Sequence, residues 1–127
     1  MTGEDAALAV DHGADGVYVS THGGRQLDET LGALEALPEV VAAVPSGTPV
    51  LLDSGVRRGT DVVKALALGA TAVGVGKPLF FSLAVGGERG VDKLFEILAE
   101  ETRVAMALTG CASLADITGD VVTRRCL

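Results

Sequence analysis

The sequence predicts an α/β protein built on a parallel sheet, and three observations predict it. First, the stretch Glu4 to Ala14 leads into Val17-Tyr18-Val19-Ser20, and Thr60 to Ala70 leads into Val73-Gly74-Val75-Gly76. One unit, a helix closed by Gly-Ala and followed by a strand, therefore occurs twice. Second, the candidate strands are short and apolar, as buried strands of a parallel sheet are. Third, each strand runs directly into a polar turn containing glycine. Repeated α/β units of this kind imply parallel strands covered by helices.

Taken in order, Thr2-Gly3-Glu4-Asp5 reads as a helix start, with Thr2 as N-cap and Asp5 three residues on. The helix continues through residues 6–11 and stops at Gly13. His12 sits in its last turn, where it suits the helix dipole, and it is given no further role. A strand follows at about 16–20. Leu31, Leu34, Leu37, Val40, Val41 and Val44 then recur at helical spacing, but Pro38 lies inside the pattern. Proline withholds an N–H and crowds the preceding turn, so the helix is expected to break or restart there. Pro45-Ser46-Gly47 is a turn, and a second strand over 49–52 ends in Asp53-Ser54-Gly55. A helix at about 60–68 is stopped by Gly69, and a third strand over 72–75 ends in Gly76-Lys77-Pro78. A short apolar helix over about 79–84, a break at Gly86-Gly87 and a longer helix over about 90–108 follow. Gly110-Cys111 ends that helix, Ser113–Asp116 predicts one more short helix, and residues 119–127 carry little signal.

Composition narrows the function classes. The chain has 127 residues, 48% of them hydrophobic and only 3% aromatic, which suits one domain with a closely packed core. Its net charge of −7 argues against nonspecific binding to nucleic acid or to an anionic membrane. No apolar run is long enough to span a bilayer, and the N-terminal residues do not resemble a signal peptide, so a cytoplasmic location is expected. Cys111 and Cys126 lack metal-ligand spacing and read as reduced structural thiols.

The chemistry concentrates where the strands end. After Gly16-Val17-Tyr18-Val19 the chain changes to Ser20-Thr21-His22-Gly23-Gly24-Arg25-Gln26-Leu27-Asp28. His22 offers a proton acceptor near neutral pH, and Arg25 a planar fork suited to a carboxylate or phosphate. The Gly23-Gly24 pair lets the backbone turn sharply or approach a ligand. Ser20, His22 and Arg25, then Asp53 and Arg57, then Gly76 and Lys77, all fall at or just past strand C-termini. That is the active-site face of a (β/α)₈ barrel, in which phosphate binds after the last strands beside a short helix. Gly76-Lys77-Pro78 before a short helix fits that phosphate position, although it matches neither a dinucleotide fingerprint nor a P-loop. A whole barrel needs about 250 residues and eight strands. The expected fold is therefore the C-terminal portion of such a barrel, incomplete, with about three parallel strands and two open sheet edges.

The stretch from Ser20 to Asp28 resembles the signature of the FMN-dependent α-hydroxy acid dehydrogenases and oxidases, glycolate oxidase and lactate oxidase among them. Asp53-Ser54-Gly55-Val56-Arg57-Arg58-Gly59-Thr60-Asp61, Ala65-Leu66-Ala67-Leu68-Gly69-Ala70 and Met106-Ala107-Leu108-Thr109-Gly110-Cys111 agree with it, in the family's order, from about Thr2 to Ile117. The resemblance implies that residues 1–127 are a partial domain of this type, the C-terminal half of the barrel. It implies FMN as cofactor and a small L-2-hydroxy acid as substrate, oxidised to the 2-oxo acid. His22 matches the family's base, Arg25 its substrate-carboxylate ligand, and Ser20 a residue at the flavin. Asp53, Gly55 and Arg57 match residues around the flavin ribityl chain and phosphate, and Gly76 and Lys77 the pair that holds the phosphate. Thr21 stands where the family usually has asparagine, and Lys77 where it has arginine, which keeps the charge but loses the fork. The family's two active-site tyrosines, its aspartate beside the histidine and its flavin-facing lysine have no counterpart here. The isolated chain is accordingly expected to be inactive or impaired, and to need a complementary N-terminal half. The alternative is a non-catalytic half-barrel that binds phosphate or FMN weakly, or self-associates through its open edges.

Overall fold

The computed structural model of the chain describes residues 1–123. Thr2 caps the first helix as its chemistry predicts: its Oγ1 accepts the Asp5 N–H at 3.2 Å, and the helix, α1, spans Gly3–Asp11. Strand β1 (Val17–Val19) follows, then α2 (Ala33–Ala43), β2 (Val50–Leu52), α3 (Gly59–Ala67), β3 (Ala72–Val73) and α4 (Lys77–Thr109). Single 3-10 turns occur at His22–Gly24, Leu114–Asp116 and Gly119–Val121.

The strands are parallel and lie side by side in chain order, β1-β2-β3. Tyr18 is level with Leu51, and Leu51 with Ala72. Side chains alternate along a strand, so Val17, Val19, Val50, Leu52 and Val73 share one face and Tyr18, Leu51 and Ala72 the other. The first face is the core: Val19, Val50 and Leu52 are buried with Ala33, Ala36, Leu37 and Val40 of α2 and Ala65 of α3. The second face has no helix over it among the described residues, and Tyr18 is 52% exposed. Tyr18 is thus not the buried strand residue its sequence context predicts, because the helices cover one face only. A doubly wound sheet carries helices on both faces; a one-sided sheet is the wall of a barrel.

The strands are shorter than predicted, most clearly β3. The Gly74 N–H still reaches the Leu52 carbonyl at 2.7 Å, but the unusual backbone of Gly76 (φ −99°, ψ −85°) then turns the chain into α4. That helix begins at Lys77 and includes the expected break: Gly87 is non-helical (φ 57°, ψ −144°) and separates a limb over 77–86 from one over 88–109. The two limbs fold tightly together, since a Cβ on Gly90 would collide with the Ser82 carbonyl. The first limb leaves Phe81 and Val85, one turn apart, exposed.

Pro38 does not break α2, contrary to the local rule, and Leu31 lies exposed before the helix begins. Burial of Ala36, Leu37 and Val40, each at most 3% exposed, holds the helical path through the proline. The lost N–H bond and ring crowding remain as a cost of about 3 kcal/mol in a helix interior. Pro38→Ala is therefore expected to stabilise the chain by about 1–3 kcal/mol, read as a higher urea midpoint. A lower midpoint would mean that packing of the proline ring outweighs the missing bond.

A second cluster joins Val63 and Ala67 of α3 to Cys111 and Ile117. Cys111 is the buried, unpaired thiol expected; Cys126 lies outside the described residues.

Candidate active site

Each strand delivers its polar residues to the same end of the sheet. Past β1, the Ser20 Oγ accepts the His22 N–H at 3.0 Å. Three consecutive residues then take positive φ: His22 (54°), Gly23 (69°) and Gly24 (72°). The glycines adopt this at little cost, whereas His22 carries strain of a kind that gathers at functional sites. Past β2, the Asp53 N–H still bonds the Val19 carbonyl at 3.1 Å, which keeps the two strand ends in step. Ser54 (φ 67°) and Gly55 (φ 110°) follow in a second left-handed turn. Past β3, Lys77 opens α4 with Pro78 in its first turn, and the Lys77 Nζ donates to the Gly23 carbonyl at 2.9 Å.

These turns enclose a cleft of about 630 Å³. His22, Arg25, Asp53, Gly55, Arg57, Gly76 and Lys77 all line it. Of the residues the sequence singles out, only Ser20 stands back from the wall, where it holds the His22 amide. Sequence reasoning missed Ser54. Its Oγ accepts the Thr21 and Gly23 N–H groups, each at 3.1 Å, and donates to Asp53 Oδ1 at 2.7 Å. The available signal was a hydroxyl residue between an aspartate and a glycine at a strand end.

The cleft is lined by three cationic side chains, Arg25, Arg57 and Lys77, and one carboxylate, Asp53. Among the described residues the ion pairs are Asp61–Lys64, Lys93–Glu96 and Glu100–Arg103, so Arg25, Arg57 and Lys77 have no carboxylate partner. Three cations without a carboxylate partner therefore share one cleft of a chain with net charge −7. The N-terminus of α4 adds backbone N–H donors and the positive end of its dipole. No heavy atom lies within 4 Å of a Cβ built on Gly55 or Gly76, so a ligand can reach the backbone there. A larger groove of about 910 Å³ lies among the helices, between α2, α3, the end of α4 and residues 121–123. Its carboxylates are already committed, Glu35 to the Gly32 N–H at 2.9 Å and Glu39 to the Gly3 N–H at 2.8 Å.

Tyr18 borders this region from the uncovered face, with its hydroxyl where a Cβ on Gly74 would fall. Partial burial and, to a lesser extent, the Asp53 carboxylate push its phenol above the ordinary tyrosine range. Both causes disfavour the phenolate. The chain has one tyrosine and no tryptophan, so absorbance near 295 nm follows Tyr18 alone. Its titration midpoint is expected above about 10, and Asp53→Asn should lower it part of the way. An unchanged midpoint in that variant would remove Asp53 as a cause.

Residues 1–124 match the FMN-dependent dehydrogenase family. The chain belongs to that family. This FMN-dependent dehydrogenase sequence is 56% identical over 117 residues to L-lactate oxidase of Nostoc sp., covering 92% of this chain and 32% of the relative. It is 53% identical over 122 residues to human 2-hydroxyacid oxidase 2, covering 96% and 35%. Its structure superimposes on mandelate oxidase solved with benzoyl-formic acid, with a TM-score of 0.88 and 54% identity, covering 92% of this chain and 35% of that one. The chain thus spans about a third of the length of these relatives, and its three strands and helices match part of a TIM-barrel oxidase. FMN is the cofactor of FMN-dependent dehydrogenases, and the cleft suits its phosphate: unpaired cations, open glycine backbone and a helix N-terminus converge there.

Proposed function

We propose that residues 1–127 form a partial FMN-dependent dehydrogenase domain that supplies the phosphate-binding and base-bearing side of an enzyme oxidising a small L-2-hydroxy acid to its 2-oxo acid. The observation that carries this reading is the convergence of His22, Arg25, Arg57 and Lys77 on one cleft at the strand C-termini. Lys77, Gly76 and the α4 amides would hold the FMN phosphate, with Arg57 beside them. Asp53 would face the flavin ribityl portion, and Ser20, at the neighbouring strand end, would support the flavin side from behind the wall through the His22 amide. Arg25 would pair with the substrate carboxylate, its fork fixing the orientation of the 2-carbon. His22 would take the hydroxyl proton as general base. FMN, when bound, accepts the two electrons of the oxidation. The Lys77 Nζ spends one of its three N–H donors on the Gly23 carbonyl, which leaves two for a phosphate and would tie the bound cofactor to the His22 loop.

The test is an FMN titration of the purified chain by flavin absorbance and fluorescence, then anaerobic addition of lactate or glycolate. Stoichiometric binding is expected, weakened about 10- to 100-fold in Lys77→Ala by loss of a charged hydrogen bond. His22→Gln should keep the flavin affinity and slow by about 10²-fold or more whatever bleaching the impaired wild-type chain supports. If FMN does not bind at all, the reading of the cleft is wrong for this chain. If FMN binds but no 2-hydroxy acid bleaches it, a second reading gains: a half-barrel that binds the cofactor but lacks the groups for turnover. The bare inner face of the sheet favours that second reading.

A further inference from the structure

Ser20 bonds the His22 amide, but the peptides on either side of His22 are held by a residue to which the family resemblance gives no role. We propose that Ser54 is the positioning residue of the His22 loop, acting through a single oxygen. The inference rests on reading His22 as the base only for its importance, since the geometry stands without it. Thr21 and Gly23 flank His22, and both of their N–H groups point to the Ser54 Oγ at 3.1 Å. The same hydroxyl donates to Asp53 Oδ1 at 2.7 Å. A serine hydroxyl has one donor and two acceptor sites, so its whole capacity is spent on this one loop and its anchor.

Asp53 is fixed in turn, because its own N–H bonds the Val19 carbonyl of the neighbouring strand. The chain of contacts therefore runs from the sheet, through Asp53 and Ser54, to the two peptides on either side of the histidine. Its backbone argues for the hydroxyl as well. Ser54 has φ 67°, a left-handed conformation that suits glycine better than any residue with a Cβ. A turn needing only that conformation would be better served by glycine. What serine adds here is the oxygen between two amides. His22, itself at φ 54°, sits in the left-handed region that a residue with a Cβ adopts uncommonly, histidine more readily than most. Ser20 holds the His22 amide itself, and Ser54 holds the peptides on both sides of it.

The experiment is amide hydrogen exchange by NMR on the ¹⁵N-labelled chain, comparing wild type with Ser54→Ala and Ser54→Gly. Both variants lose the hydroxyl, but glycine relieves the backbone strain and keeps the turn. Exchange at Thr21 and Gly23 is expected to quicken by about tenfold or more in both variants. The Asp53 and Gly74 amides, which bond strand carbonyls, should stay protected. The His22 ring signals, separated from the other histidine in a His12→Gln background, should broaden or split. If Ser54→Gly leaves both flanking amides protected, the turn alone sets the loop and the proposal fails. Should Ser54→Ala unfold, the glycine variant decides the matter. These readings need no flavin, so a failed FMN titration and a failed Ser54 test are separate results.

Discussion

Gly59→Ala is expected to cost the chain about 3 kcal/mol or more, at or above the usual range for overpacking a dense interior. Gly59 opens α3 where that helix docks on α4. A Cβ there would run into the Thr102 amide and the Glu101 backbone, which belong to a helix and cannot swing aside as a side-chain tip can. Moving α4 away would also break the bond from the Gly59 N–H to Glu101 Oε2, 2.8 Å long. Against a typical domain stability of about 5–15 kcal/mol, such a loss is large. The measurement is a urea or thermal transition followed by far-ultraviolet circular dichroism. Gly86→Ala makes the control, because nothing lies within 4 Å of its Cβ and its backbone is helical. Equal transitions for wild type and Gly59→Ala would mean that α3 and α4 are not docked in solution as described.

The second large effect is on association. Phe81 and Val85 are 68% and 91% exposed and sit one turn apart on the first limb of α4. Fully burying a phenylalanine or valine side chain gains about 1.5–3 kcal/mol. If the isolated chain self-associates through this limb, Phe81→Ser with Val85→Ser should weaken association by about 10²- to 10⁴-fold. Sedimentation velocity over a concentration series reads this directly. Association unchanged by the double substitution would point instead to the open edges of β1 and β3.

What the sequence reveals, and what it hides, follows from the range of the forces involved. The Thr2 cap, the Gly13 and Gly69 stops and the Gly87 break are local, and each is legible in a few residues. The cleft was legible too, because parallel strands put their C-terminal turns on one face whatever the rest of the fold does. Pro38 misled because a local cost was outweighed by the burial of Leu37, a contact made with the sheet. Tyr18 misled because exposure depends on what covers a face, which no strand pattern states. Ser54 escaped notice because its oxygen meets Thr21 and Gly23 only once β1 and β2 are in register. Gly59 resembles an ordinary helix start until α4 is laid across it.

The sheet order has a further consequence. Each strand pairs with the one before it in the chain, and no strand reaches across a third. The wall is therefore a row of courses, each resting on its predecessor. A course added beside β1 or β3 would disturb no pair already made. Nor would it need the existing strands to open. A barrel of this type can in principle be assembled from separately made segments that meet edge to edge. The joints then demand only a few backbone hydrogen bonds each, and most of the holding force must come from apolar surface on either side of them.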